Sequence, residues 1–206
     1  MADLGVARTT VREALRILES EGLVTVRRGP HGGARVRKPA VPMVARYIGL
    51  LLQYEGATVE DVYRARVTIE APAAALLAEN VTPEIVDELR AALAREVDAS
   101  SDPVSLSRAH GRFHQQVVQL TGSHTYDALS AVANRIIQVQ ADRFFETSDK
   151  AIQGLADAHR AHVRLVDLIA AGAAQDAEDL WRRHLEASDA YVMSAPGACA
   201  VLDLLE

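Results

Sequence analysis

Apolar residues recur every three to four positions along most of this chain, and the pattern changes character in only one place. Over about 9–21 (TTVREALRILESE), Val11, Leu15 and Leu18 form one stripe and Gly22 follows as a stop, which predicts an amphipathic helix. LVTVRR and ARVRK alternate instead, on either side of the Gly/Pro-rich GPHGG, and predict a β-hairpin. KPAVP is a proline-bounded linker. Beyond it the helical period returns and predicts helices near 42–53, 58–80, 83–98, 103–121, 123–146, 151–171 and 174–192. Thr82-Pro83 and Asp102-Pro103 each pair a capping residue with a first-turn proline, and Gly172 marks a helix end. Pro72 falls inside a helical run and is expected to kink or break it. The expected fold is all-α, an antiparallel bundle of about seven helices over 43–192. Before it come a small head (1–38) and a linker (39–42); after it comes a tail (193–206) whose PGACAVLDLLE reads as a short apolar helix.

Histidines disturb the apolar stripes. In VSLSRAHGRFHQQVVQL, His110 and His114 lie one turn apart and share a face with Leu106, Phe113, Val117 and Leu120. His162 falls with Ala158, Leu165, Val166 and Ile169, with His159 one turn earlier near the same stripe. His184 aligns with Ala177, Leu180 and Trp181. Four imidazoles from three helices therefore face inward, and unpartnered they would cost several kcal/mol, on the order of 1–3 each. A shared divalent transition metal, Zn(II) or Ni(II), removes that cost, because neutral imidazole is an ordinary ligand for either ion. The expected metal ligands are His110, His114, His162 and His184, with a three-histidine site that leaves His110 a bystander as the alternative.

Composition narrows the class. In 206 residues, 49% are hydrophobic, only 4% are aromatic and one is cysteine, which excludes an internal disulfide framework and a Cys-rich zinc finger. No apolar run approaches the roughly 20 residues of a membrane span, and MADLGVARTT lacks a signal-peptide pattern, so a cytoplasmic protein is expected. The net charge of −6 is uneven: residues 1–38 carry +4 and the remainder −10. A basic head on an acidic body puts any polyanion partner at the head. There a helix opens with Arg8-Thr9-Thr10 and carries Arg12, and the hairpin holds Arg27, Arg28, Arg35, Arg37 and Lys38. Arginine forks onto guanine edges, hydroxyls and helix N-termini bind phosphate, and a glycine-tipped hairpin can approach a minor groove.

LGVARTTVREALRILESEGLV followed by VRRG resembles the winged helix-turn-helix of the GntR family of bacterial repressors, in its FadR subfamily. The resemblance implies that Arg8, Thr9, Thr10 and Arg12 contact operator DNA and that Gly29 lies at the wing tip. Ala7 stands where that family has Ser or Thr, so one cap contact is expected to be missing. The family carries further helices before this point, so the head is read as a partial winged helix-turn-helix and Met1 as an internal methionine of a longer frame.

Residues 43–192 are similar to the FCD ligand-binding domain that accompanies such heads. Its D-x-x-F-H motif appears as His110-Gly-Arg-Phe113-His114, with histidine in the aspartate position. Its later pair of histidines appears as His162 and His184, the latter followed by Leu185, and this correspondence selects His162 over His159. In YRARVTIEAPAAALLAEN, the resemblance makes Arg66 an effector-facing residue. It also implies a homodimer on double-stranded operator DNA and a small effector, a carboxylate. A sensor without autonomous DNA binding is the alternative. A metal hydrolase is the remaining rival: HGRFH places histidines as HExxH does, but Gly111 occupies the position of the general-base glutamate, and nothing in the spacing selects Glu70 or Asp167 to replace it. No enzymatic activity is expected.

Overall fold

The computed structural model describes residues 5–29, 32–147 and 151–193. The head comprises α1 (Arg8–Ser20), β1 (Val24–Arg27) and β2 (Gly33–Val36). The strands pair antiparallel in the register Val24↔Val36 to Arg27↔Gly33, which makes the expected hairpin. Among the described residues seven helices follow: α2 (Val41–Tyr54), α3 (Val59–Glu79), α4 (Pro83–Asp98), α5 (Pro103–Gln119), α6 (His124–Thr147), α7 (Ala151–Ala170) and α8 (Ala174–Met193). The expected tail helix, PGACAVLDLLE, lies outside the described residues. No helix among the described residues is long and apolar enough to cross a membrane.

Local chemistry sets the helix ends. Thr58, Thr82 and Asp102 accept from the backbone N–H groups of Asp61, Ile85 and Ser105, which satisfies donors that α3, α4 and α5 would otherwise leave free. Gly172 takes φ +68° after α7, and the N–H of Ala173 returns to the carbonyl of Leu168, a closure that suits a residue without Cβ. Of the two outcomes expected at Pro72, a break does not occur: α3 runs unbroken from Val59 to Glu79. The cost of an interior proline, about 3 kcal/mol, is offset by the burial of Ala71, Ala73, Ala74, Leu77 and Ala78 around it. The helix after the linker starts at Val41, because Pro42 is compatible with a first turn and extends α2 into the expected linker.

The main core joins α3, α4, α5, α7 and α8 through Leu77, Leu89, Phe113, Leu165, Ile169, Trp181 and Leu185. A smaller one joins α2, α3 and α6 through Ala45, Val62, Tyr63, Ile136 and Ile137. Helix α3 lies between the two and packs most extensively on α8. The head meets the bundle where the Tyr47 hydroxyl of α2 donates to Glu21 Oε2 at 2.8 Å.

Candidate metal and effector site

Five helices send polar side chains into the main core. Arg66 and Glu70 lie one turn apart on α3, Glu96 near the end of α4, His110 and His114 on α5, His159 and His162 on α7, and His184 on α8. All are buried except the half-buried His159. Phe113 stacks on the His162 ring at 4.4 Å and Trp181 stacks on His184 at 4.8 Å, so apolar packing fixes the imidazole planes.

Three imidazoles meet at a point. His162 Nε2 lies 3.2 Å from His184 Nε2, which lies 3.4 Å from His114 Nε2. Three nitrogens about 2.1 Å from a common tetrahedral centre stand about 3.4 Å apart, so the donor set fits Zn(II) or a similar ion. Burial pushes the pKa of all three rings well below the usual histidine value, and neighbouring histidines and Arg66 push in the same direction. They are neutral imidazoles, the protonation state a metal requires.

Carboxylates stand behind two of these rings. His114 Nδ1 donates to Glu70 Oε2 at 2.7 Å, and Arg66 Nε donates to Glu70 Oε1 at 3.1 Å. His162 Nδ1 donates to Glu96 Oε1 at 2.6 Å, while His159 Nδ1 donates to Glu96 Oε2 at 2.6 Å. Placing the proton on Nδ1 leaves the Nε2 lone pair facing the shared centre, the arrangement of a carboxylate–histidine–metal triad. Burial raises the pKa of both glutamates. Glu70 has Arg66 as its counter-charge; among the described residues, Glu96 has only histidines around it.

His110 is held apart from this meeting point. It groups with Glu96 and His162, and its Nε2 is 3.7 Å from Glu96 Oε2, too long for a hydrogen bond. Among the described residues that nitrogen is buried without a hydrogen-bond partner, and burial lowers the ring's pKa to about 3. The expected four-histidine set therefore appears as a three-histidine meeting point with a fourth imidazole beside it. Glu70 and Glu96 completed the site without having been singled out from the sequence. The signal was present: both occupy core positions of amphipathic stripes, Glu70 with Val67, Ala74 and Leu77, and Glu96 with Val86, Leu89 and Ala92. Glu70 is also tied to Arg66 and His114 and is not a free base for hydrolysis.

A cavity of about 410 Å³ opens beside the histidines, and Arg66, His110, His114 and His184 all line it.

In the head, Arg8, Thr9, Thr10 and Arg12 are all exposed at the start of α1. Ala7 caps that helix without a side-chain hydrogen bond, as expected of alanine there. Gly29 has φ +110° and is exposed beyond β1. Arg27, Arg28, Arg35, Arg37 and Lys38 are exposed as well, so the head's charge faces solvent.

Two family models match the chain: the FCD domain over residues 61–187, and the bacterial regulatory proteins of the gntR family over residues 1–36. The HTH-type transcriptional regulator Mce2R of Mycobacterium tuberculosis is 33% identical over 122 residues, covering 58% of this chain and 50% of that protein. The chain thus spans about half the length of this curated relative. The putative L-lactate dehydrogenase operon regulatory protein of Escherichia coli is 28% identical over 198 residues, covering 88% of this chain and 70% of its own. Among solved structures, a Streptococcus agalactiae GntR superposes with a TM-score of 0.67 at 23% identity, covering 91% of this chain and 83% of that one, which shows a shared fold.

Proposed function

Because the chain belongs to the GntR family and carries its FCD domain, we propose that it is a DNA-binding transcriptional regulator governed by a small carboxylate bound beside a divalent transition metal. His114, His162 and His184 hold the ion, Zn(II) or Ni(II), and His110 is the candidate for a fourth donor in the family's aspartate position. The metal would supply positive charge and Lewis acidity at the cavity wall; Arg66 supplies a guanidinium that donates through Nε to Glu70. One observation carries the reading: three buried Nε2 atoms converge while carboxylates hold the Nδ1 protons of two of the rings. Glu96 adds support, since burial raises its pKa and a cation held beside it would offset that cost. The E. coli relative is named for an L-lactate dehydrogenase operon, and lactate is a carboxylate.

At the head, Arg8, Thr9, Thr10 and Arg12 read operator DNA in the major groove and Gly29 lets the wing approach the backbone closely. A homodimer places two such heads on a two-fold operator, in the cytoplasm. The test is metal analysis of unchelated protein together with a thermal-shift screen of carboxylates, repeated on Arg66→Ala. Bound transition metal, and carboxylate shifts lost in the variant, are expected. Absence of metal, with no response to added Zn(II) or Ni(II), overturns the metal reading; absence of any carboxylate shift overturns the effector. One observation favours a second reading, a metal and effector sensor without autonomous DNA binding: α1 has no buried residue. Gel-shift titration of the full chain against genomic fragments separates the two.

A further inference from the structure

Away from the histidines, the cavity wall mixes Ile137, Ala141 and Leu155 with Asn134, Gln138 and Ser188. Asn134, Gln138 and Asp142 recur at intervals of four on α6 and so form one file along it. Charged groups fix which way the amides in this file point. Asp142 is held by Arg108, whose Nη2 donates to Asp142 Oδ2 at 3.1 Å. A carboxylate only accepts, so in the 2.8 Å bond between Gln138 and Asp142 Oδ1 the amide nitrogen is the donor. The carbonyl oxygen of Gln138 therefore takes the other edge of its amide. It lies over Gly111 of α5, 2.7 Å from where a Cβ would stand. Glycine is a poor helix former, and here its missing side chain is the clearance that this oxygen occupies. Gly111 and Gln138 both line the cavity, and among the described residues no donor is bonded to Gln138 Oε1. Asn134 is oriented by a similar relay: Gln115 Nε2 donates to Asp127 Oδ1 at 2.6 Å, and Asn134 Nδ2 donates to Gln115 Oε1 at 3.2 Å.

We infer that Gln138 is a specificity-determining residue whose Oε1 accepts a hydrogen bond from a hydroxyl group of the effector, a carboxylic acid hydroxylated along its carbon chain. This rests on the carboxylate reading above and adds the part of the ligand that reading leaves open. Gly111 precedes His114 by three residues, about 4.5 Å along α5, so the acceptor stands roughly one turn from the histidine centre. A hydroxyl next to the carboxylate stays at that centre, whereas one further along the chain reaches Gln138. An ammonium group would satisfy the same oxygen, but it would share the cavity with Arg66 and the metal, which carry like charge. The sign of the hydroxyl's effect is diagnostic. A wall without an oriented acceptor penalises a hydroxyl for leaving water, while a waiting acceptor rewards it.

The experiment is a calorimetric titration of the Zn(II)-loaded full chain with matched acids: butyrate against 4-hydroxybutyrate, hexanoate against 6-hydroxyhexanoate, and 4-aminobutyrate alongside. In at least one pair the hydroxy acid should bind about three- to tenfold more tightly, the worth of one neutral hydrogen bond. Gln138→Met, which keeps the length and removes the acceptor, should abolish that preference. Gly111→Ala improves the helix and pushes a methyl group against the oxygen, and it should reduce the preference. Stabilisation by Zn(II) alone reports that each variant is folded, and Gly111→Ala decides if Gln138→Met is not. Unhydroxylated acids binding as tightly or more tightly in both pairs, the amine binding most tightly, or a preference unchanged in the folded variants overturns this inference and leaves the carboxylate reading standing. If none of these acids binds the zinc-loaded protein, both fall together.

Discussion

Helices α1 and α5 carry the same kind of apolar stripe and meet opposite fates. On α1, Val11 and Leu15 are only half-buried, Ile17 and Leu18 are exposed, and no residue is buried. On α5, Phe113, Val117 and Val118 are fully buried, and His110 and His114 are buried with them. The difference lies in what each helix packs against. The contacts of α1 are chiefly with β1, a strand of four residues, whereas α5 is enclosed by α3, α4, α6 and α7. Amphipathic periodicity states that a helix needs a partner along one face; the partner's presence is a tertiary matter. An isolated helix of 13 residues is marginal in water, so α1 owes its order to whatever covers that stripe, while α5 is stable enough to hold polar groups against its core.

The largest expected effect tests that contrast directly. Phe113→Ala should cost about 3–5 kcal/mol of unfolding free energy in a denaturant titration, and Leu15→Ala under about 1 kcal/mol, since the first leaves a cavity and the second does not. Equal costs would mean that the α1 stripe is covered in solution.

Glu70→Ala comes next. It leaves the Arg66 guanidinium buried without its counter-charge, at a cost of about 3–5 kcal/mol, where loss of an exposed pair such as Arg16–Glu13 should cost under about 1 kcal/mol. A small effect at Glu70 would show that water reaches the pair.

Zinc should act on the body alone. At a concentration a hundredfold above its dissociation constant it should stabilise the fold by about 2.7 kcal/mol and raise the melting temperature by about 5–10 °C. His114→Ala should abolish the shift and Arg12→Ala should leave it intact; a shift lost in both would tie the head to the metal centre.

The smallest effect is that of pH on the metal-free chain. His110, His114, His162 and His184 have folded pKa values below the ordinary 6.5, so the unfolded chain binds more protons as pH falls through that value, and stability declines with it. The loss begins near pH 6.5 and continues toward about 3 for His110. Glu70 and Glu96, raised above 4.5, act in the opposite sense and offset part of it as the folded state takes up their protons. Between pH 7.5 and 6.5 the histidines should cost a few tenths of a kcal/mol each, read as a falling melting temperature in chelator. A melting temperature that rises over that interval would place the histidines in water.

Much of the fold was legible because its determinants are local. The Thr82-Pro83 and Asp102-Pro103 starts, the Gly172 stop and the alternating hairpin segments all express short-range hydrogen bonding and backbone preference, and the helices appear within a few residues of expectation. Pro72 does not break α3 because its penalty is local while the burial that offsets it is not. For the site, the inward faces of His114, His162 and His184 could be read from helical period alone. Glu70 and Glu96 follow the same period, but a carboxylate on an apolar stripe acquires meaning only when its partners are known.

By itself, then, the amino-acid sequence determined which segments are helical and which faces turn inward, because these depend on periods of a few residues. Only the tertiary structure decided the pairings. Arg66 with Glu70 and His114, Glu96 with both His159 and His162, and the displacement of His110 from the three converging nitrogens depend on how α3, α4, α5, α7 and α8 cross. Those crossings are set by the volumes packed between the helices, Phe113 and Trp181 above all, and volume complementarity has no period along a chain.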